Sequence, residues 1–152
     1  MRPRCYHMFG DGTNTDEETQ VTVVSSTTVR PAIYDLLISN ATTPADNACN
    51  WVLQRITAAG TPGTTFTPVA IDPGDPASAA SGGYYQFTVV PTYTANAHLL
   101  NISCNQRALA RWVSRERGEL ILPATAANGA ALRVKDVTTA AALWKYTIHF
   151  SE

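Results

Sequence analysis

The sequence is poor in lysine, in charge and in long apolar runs. Charged residues make up only 15% of its 152 positions, against about a quarter in an ordinary soluble domain. A dense coat of solvating charge is thereby excluded, and a weakly charged surface suits contact with other protein. Lysine occurs only at Lys135 and Lys145, and the other nine cations are arginine. Arginine favours fixed, planar, multi-bond contacts over loose solvation. The formal net charge is −1, which argues against a general binder of nucleic acid or of an acidic membrane surface. No apolar run approaches the roughly 18 residues of a membrane span. The opening "MRPRCYHMFGDGTNTDEETQ" has basic residues but not the apolar core of a secretory leader.

Catalytic signatures are missing too. There is no nucleophile elbow, phosphate-binding glycine loop, dinucleotide fingerprint or zinc-protease helix motif. Three cysteines, Cys5, Cys49 and Cys104, stand far apart without CxxC spacing, and an odd number leaves one unpaired in any internal scheme. They read as reduced thiols of a protein made in the cytoplasm. His7, His98 and His149 have no carboxylate or third histidine at ligand spacing, and Cys5 with His7 would need two further ligands. Asp72 and Asp75 in "DPGDP" are followed by or set among prolines, which indicates a turn rather than a calcium loop. Asn40-Ala41-Thr42 and Asn101-Ile102-Ser103 match the glycosylation sequon, as chance matches in a chain without a leader. The expectation is no catalytic residue, no cofactor and no metal.

What the sequence does contain is strand pattern. Residues 1–20 are polar, glycine-bearing and acidic, and are expected to form a flexible N-terminal arm. After them come "VTVVSSTTV" (21–29), "PAIYDLLIS" (31–39, with Tyr34, Leu36 and Ile38 on one face) and "NWVLQRIT" (50–57), where Pro44 and Asp46 would serve a helix start but the β-branched content and short apolar run favour a strand. Residues 58–83 read as loop, with "TFTPVAI" a short edge strand because Pro68 cannot donate to a central ladder. "YYQFTVV" (84–90), "AHLLNISC" (97–104) and "AALRVKDV" (130–137) are further strands, and Asn128-Gly129 signals a turn. In "ALWKYTIHF" Ala142, Trp144, Tyr146, Ile148 and Phe150 alternate with Leu143, Lys145, Thr147 and His149, the pattern of a half-buried strand. About eight to ten short strands without a helix predict an all-β, antiparallel β-sandwich, jelly-roll-like, as a single domain over 21–152.

Charge is concentrated in one stretch, "NQRALARWVSRERGEL". Residues 98–122 carry a net +2 from Arg107, Arg111, Arg115 and Arg117 against Glu116 and Glu119, while residues 1–20 carry −2. A period of two sends Ala110 and Trp112 inward and Arg111 outward, although Leu109 and Val113 interrupt the polar face. Arg115 to Gly118 reads as a hairpin turn into "ELIL". The four arginines fit a solvated face paired with Glu119, or a contact with another protein. Phosphate binding fits less well, because Trp112 points away from them.

The order of blocks adds a resemblance. "PADNA" with "LQRITAAGT", then "PVAIDPGDPA", then "NQRALARWVSRERGELILPATAANGAALRV", resembles the head decoration (cement) proteins of tailed bacteriophages. It runs from about residue 29 to 152 and rests on no catalytic signature. The resemblance implies a jelly-roll-like sandwich without enzyme activity, made in the host cytoplasm and placed on the capsid exterior of the virion. It implies a homo-trimer bridging major capsid protein subunits, with no nucleic acid, membrane or small-molecule partner. Arg107, Arg111, Arg115 and Arg117 are then the candidate interface residues. Two rivals remain: a tail or fibre protein stacking a glycan on Tyr84, Tyr85 and Tyr93, and a polysaccharide-cleaving enzyme with a distant carboxylate pair.

Overall fold

The computed structural model describes residues 2–13, 18–135 and 143–152. Among the described residues there are twelve strands and no helix: β1 (Cys5–Thr13), β2 (Thr19–Val24), β3 (Ala32–Asn40), β4 (Ala48–Ala58), β5 (Thr64–Phe66), β6 (Val69–Ala70), β7 (Ser81–Tyr84), β8 (Thr92–Asn105), β9 (Ala110–Val113), β10 (Leu120–Ile121), β11 (Gly129–Lys135) and β12 (Leu143–Ser151). They form two antiparallel sheets. The front sheet runs β10-β3-β12-β1-β6 with β9 also on β3, and the back sheet runs β5-β7-β2-β11-β4-β8. The fold is an antiparallel β-sandwich.

Alternation builds the core. In β12, Trp144, Tyr146, Ile148 and Phe150 are buried, and in β4 Cys49, Trp51 and Leu53 join the same apolar cluster. From β3 come Ile33, Leu36 and Ile38. Tyr34 does not share their face as the alternation predicts. The ladder to β12 slips between His149 and Phe150, pairing Asp35 with His149 but Ile33 with Phe150. The extra residue is a bulge that resets the phase, so Ile33 turns inward and Tyr34 stacks on His149 outside.

The expected N-terminal arm is the largest correction. Residues 5–13 are β1, inside the front sheet between β12 and β6, and Thr19 and Gln20 already belong to β2. Asp16 and Glu17 lie outside the described residues, as do Asp136, Val137 and Ala142. β1 alternates fully, but its buried positions are Tyr6, Met8, Gly10 and Gly12. Two glycines erase the apolar signal. They are needed because Tyr146, opposite Gly10, lies across the strand and donates its hydroxyl to Gln20 Oε1 at 3.0 Å. A methyl group on Gly12 would sit 2.6 Å from that hydroxyl oxygen and 2.7 Å from Gln20 Oε1.

Other boundaries move for local reasons. "TFTPVAI" is split at Thr67-Pro68, with β5 on the edge of the back sheet and β6 on the edge of the front sheet. The strand expected over 84–90 stops at Tyr84, since Tyr85 and Gln86 take φ of 64° and 42°, left-handed values that break a strand. β8 instead starts at Thr92 and takes in residues 92–96, which lie between the strands expected over 84–90 and 97–104. At Asn128-Gly129 the left-handed residue is Ala127, with φ 65°. The chain between β5 and β7 is pinned by Glu152, whose carboxylate accepts from the Ser78 hydroxyl at 2.6 Å and from the Ala79 and Ala80 amides at 3.1 and 2.8 Å.

The predicted hairpin at Arg115–Gly118 is a turn of another kind. Gly118 donates to the Arg115 carbonyl at 2.9 Å, but the flanking strands do not pair with each other. β9 pairs with Asp35–Ile38 and β10 with Ala32–Ile33 of the same strand, β3. They are two pieces of one edge, and residues 114–119 bulge out between them.

Gly12→Ala is expected to destabilise the fold by about 1–3 kcal/mol through overpacking, measured by urea unfolding. Adding Tyr146→Phe removes the nearest clashing atom and should recover part of the loss. Simple additivity of the two costs would contradict this account of the glycine.

Candidate functional site

The outward residues of the front sheet form one continuous face. Register places Val69, His7, His149, Asp35 and Val113 side by side across five strands. The next outward row holds Phe9, Thr147, Leu37 and Arg111. Five apolar side chains of this face, Phe9, Val69, Ile71, Val113 and Ile121, are between 43% and 55% exposed. Aromatic contacts tie its middle together. Tyr34 stacks on His149 at 6.0 Å, His7 lies 6.1 Å from His149, and Phe9 meets Phe66 edge to face at 4.9 Å.

The charges of the face are matched within it. Arg111 grips Asp35 with both ends of its fork, Nε to Oδ1 at 3.1 Å and Nη2 to Oδ2 at 2.8 Å. Such bidentate pairs are among the stronger ionic contacts. The Asp35 side chain is only 7% exposed, and His149 Nδ1 stands 3.4 Å from Oδ2. The Arg111 hydrogen bonds hold the Asp35 carboxyl below the usual carboxylate range, against the opposing effect of burial. Lys145 pairs with Asp11 and Arg2 with Asp72. Burial, and then the neighbouring His149, lower the pKa of His7. Burial and then the Cys5 thiol push Tyr34 up to about 12.

The outer face of the back sheet differs. Its outward residues Thr22, Val52, Gln54, Ile56 and Ala131 are buried, because the chain folds over them. Gln54 Nε2 donates to the Thr94 carbonyl at 2.7 Å. Tyr93 reaches across the sheet to Thr19 Oγ1 at 2.5 Å, beneath the Arg133 guanidinium 4.3 Å from its ring centre. Among the described residues, one outer face is roofed by its own chain and the other is open.

The four arginines singled out in the sequence do not share one setting. Arg111 is on β9, outward as the alternation predicts, with Trp112 packed against the core. Its partner is Asp35 rather than Glu119. Arg115 and Arg117 are exposed on the segment between β9 and β10, and Arg107 is exposed in the bend that carries the chain from the back sheet to the front sheet. These three side chains make no ion pair among the described residues. Sequence reasoning missed Asp35, although an acid in the middle of "AIYDLLI" was a usable signal. It also missed Phe9, hidden in the presumed arm.

Two concavities border the face. One of about 180 Å³ lies among Phe9, Gly10, Asp11, Tyr84 and Lys145, and one of about 300 Å³ among Cys5, Ile71, Asp72 and Asp75. Neither is lined by Asp35 or His149. No three metal-ligating side chains converge among the described residues. Of the tyrosines considered for a sugar platform, Tyr93 is engaged as above and Tyr84 packs on Phe66 at 6.3 Å. Comparison with protein-family models, curated proteins and solved structures finds no match for this chain.

Arg111→Ala is expected to lower the urea midpoint, because it leaves the nearly buried Asp35 carboxylate without its bidentate partner. Combined with Asp35→Asn, the losses should fall short of their sum in a double-mutant cycle. Because the folded Asp35 pKa lies below its unfolded value of about 3.9, this stabilisation is present above that value. It disappears as pH falls through the folded pKa, and Asp35→Asn should lack that acid limb. His7 has the other window. Its folded pKa is below the unfolded value of about 6.5, so the unfolded chain takes up the proton first and stability declines as pH drops from there. His7→Gln should flatten the decline in urea midpoints over that window.

Proposed function

We propose that this chain works by contact rather than by catalysis, as a structural component of a larger protein assembly, with the outer face of the front sheet as its contact surface. The observation that carries this reading is the difference between the two outer faces. The back face is covered by the chain itself, while the front face leaves Phe9, Val69, Ile71, Val113 and Ile121 half exposed among ion pairs already matched within the face. Exposed apolar side chains set among polar groups whose charges are already paired suit a protein contact, which is mixed in polarity. A nucleic-acid partner would instead draw on unpaired cations beside stacking rings.

The resemblance to phage head decoration proteins gives the contact a setting. In that setting the chain is a jelly-roll-like cement protein, trimeric on the capsid exterior, bridging major capsid subunits. Arg107, Arg115 and Arg117, exposed and without ion-pair partners among the described residues, are the arginines that remain for a neighbour's carboxylates. Arg111 serves the fold. Stabilisation of the shell follows from linkage: a protein that binds only the assembled shell lowers the free energy of that state, and a lattice of weak contacts adds through multivalency.

The test uses particles of the phage that encodes the chain. Quantitative mass spectrometry should find copies near a simple ratio to the major capsid protein. Phe9→Glu with Val113→Glu should reduce rebinding to stripped particles at least about tenfold while the variant still folds to the β-sandwich by circular dichroism. Arg115→Glu with Arg117→Glu should weaken rebinding less. Absence from the particle, or full rebinding by the Phe9/Val113 variant, defeats the reading.

A further inference from the structure

The fold brings together two cysteines that stand far apart in sequence. Cys49 of β4 and Cys104 of β8 are directly opposed in the antiparallel ladder, with Sγ atoms 3.6 Å apart. Opposed residues of such a ladder have Cα atoms about 4.5–5.5 Å apart. That lies inside the span of about 4.4–6.8 Å that a disulfide bridges, so closure needs side-chain rotation rather than backbone movement. The corner around them is fixed. Asn105 Nδ2 donates to Asp46 Oδ1 at 2.7 Å, the Gln106 amide to the Asn47 carbonyl at 2.9 Å, and the Ala45 amide to Gln106 Oε1 at 3.1 Å.

The two thiols are also unequal. Cys49 is 2% exposed, whereas Cys104 is only partly buried on the outermost strand of the back sheet. The hydrogen bond between the two thiols brings the Cys104 pKa down to about 7 and raises that of Cys49. A partly exposed cysteine with thiolate character beside a fully sheltered one is the arrangement of an attacking and a resolving cysteine.

We propose that Cys49 and Cys104 are a dithiol that closes to a disulfide on meeting a small-molecule disulfide oxidant, stapling the edge strand β8 to β4. The Cys104 thiolate attacks one sulfur of oxidised glutathione, forming a mixed disulfide and releasing one glutathione thiolate. Cys49 then gives up its proton and attacks the Cys104 sulfur, releasing the second glutathione. Two protein thiols are oxidised, and one glutathione disulfide is reduced to two thiols. The staple matters because no residue of β8 is fully buried, so this long edge strand depends on its ladder to β4. Cys5, in the front sheet, has no cysteine partner and stays free.

Native full-length protein treated with oxidised glutathione, alkylated and read by intact mass and peptide mapping decides the matter. The expected product has lost two hydrogens, links the Cys49 and Cys104 peptides within one chain, and carries the alkyl label on Cys5. Dithiothreitol reverses it, and the oxidised form melts about 5–10 °C higher, as closure of a loop this long implies. Cys49→Ala should trap Cys104 as a stable glutathione adduct. If that variant does not fold, the mass of the unaltered chain still decides. A native chain that stops at the Cys104 adduct, closes only in denaturant or links to a second chain overturns the proposal.

Discussion

Trp51 and Trp144 meet edge to face with ring centres 5.0 Å apart, both without exposed surface. They belong to opposite sheets, Trp51 to β4 and Trp144 to β12, and two such rings between packed sheets fill much of a layer about 10 Å thick. The period of two does the rest. With Trp144 fixed inward, Tyr146, Ile148 and Phe150 follow it into the core, and Lys145, Thr147 and His149 are committed to the outside. The open face is therefore the complement of the core, set by the same alternation. Moving it would require a shift of one residue in β12, which would expose the tryptophan.

The same constraint acts on the back sheet with a different outcome. With Trp51 and Leu53 inward, Val52, Gln54 and Ile56 must face out, and an apolar outer row needs a cover. The early part of β8 provides it by bending over the sheet through register shifts against residues 53–58 of β4. The left-handed Asn96, with φ 56°, lies in the same stretch. Among the described residues the front sheet has no such cover over Phe9 and Val113, and its outward row combines isolated apolar groups with paired charges. Each charge there has its counter-ion within the sheet, so burying the face leaves no new unpaired ion, which is the costly outcome.

Legibility in the sequence followed side-chain size. β12 was readable because its inward residues are bulky and its outward ones mostly polar. β1 has the same period, but Gly10 and Gly12 stand where apolar residues would announce it; the bulk that fills those positions comes from Tyr146 and Tyr84 of other strands. β7 was hidden similarly, as "SGGY" reads as loop although Gly82 gives room to Met8 and Gly83 to Pro62. The turn after β9 was found but not its purpose, since a local signal cannot say whether the next segment pairs with the last one or continues its edge. Arg111 was readable as an outward cation. Its partner was not, being 76 residues away on a neighbouring strand, and no local pattern reports which strands become neighbours.

The pairing of Arg111 with Asp35 also changes what the arginine cluster means. A guanidinium held at two points by a nearly buried carboxylate has little left to offer a partner, and breaking the pair to bind one would strand Asp35. Its work is to neutralise an acid that sits in the middle of the sheet face, so that the carboxylate does not repel a covering surface. The remaining arginines, on the bulge between β9 and β10 and on the bend at Arg107, border that face instead of lying in it. In protein interfaces rim charges chiefly set orientation and on-rate, while buried apolar side chains carry affinity. The proposed contact therefore draws its strength from Phe9, Val113 and Ile121, and its choice of partner from the arginines around them.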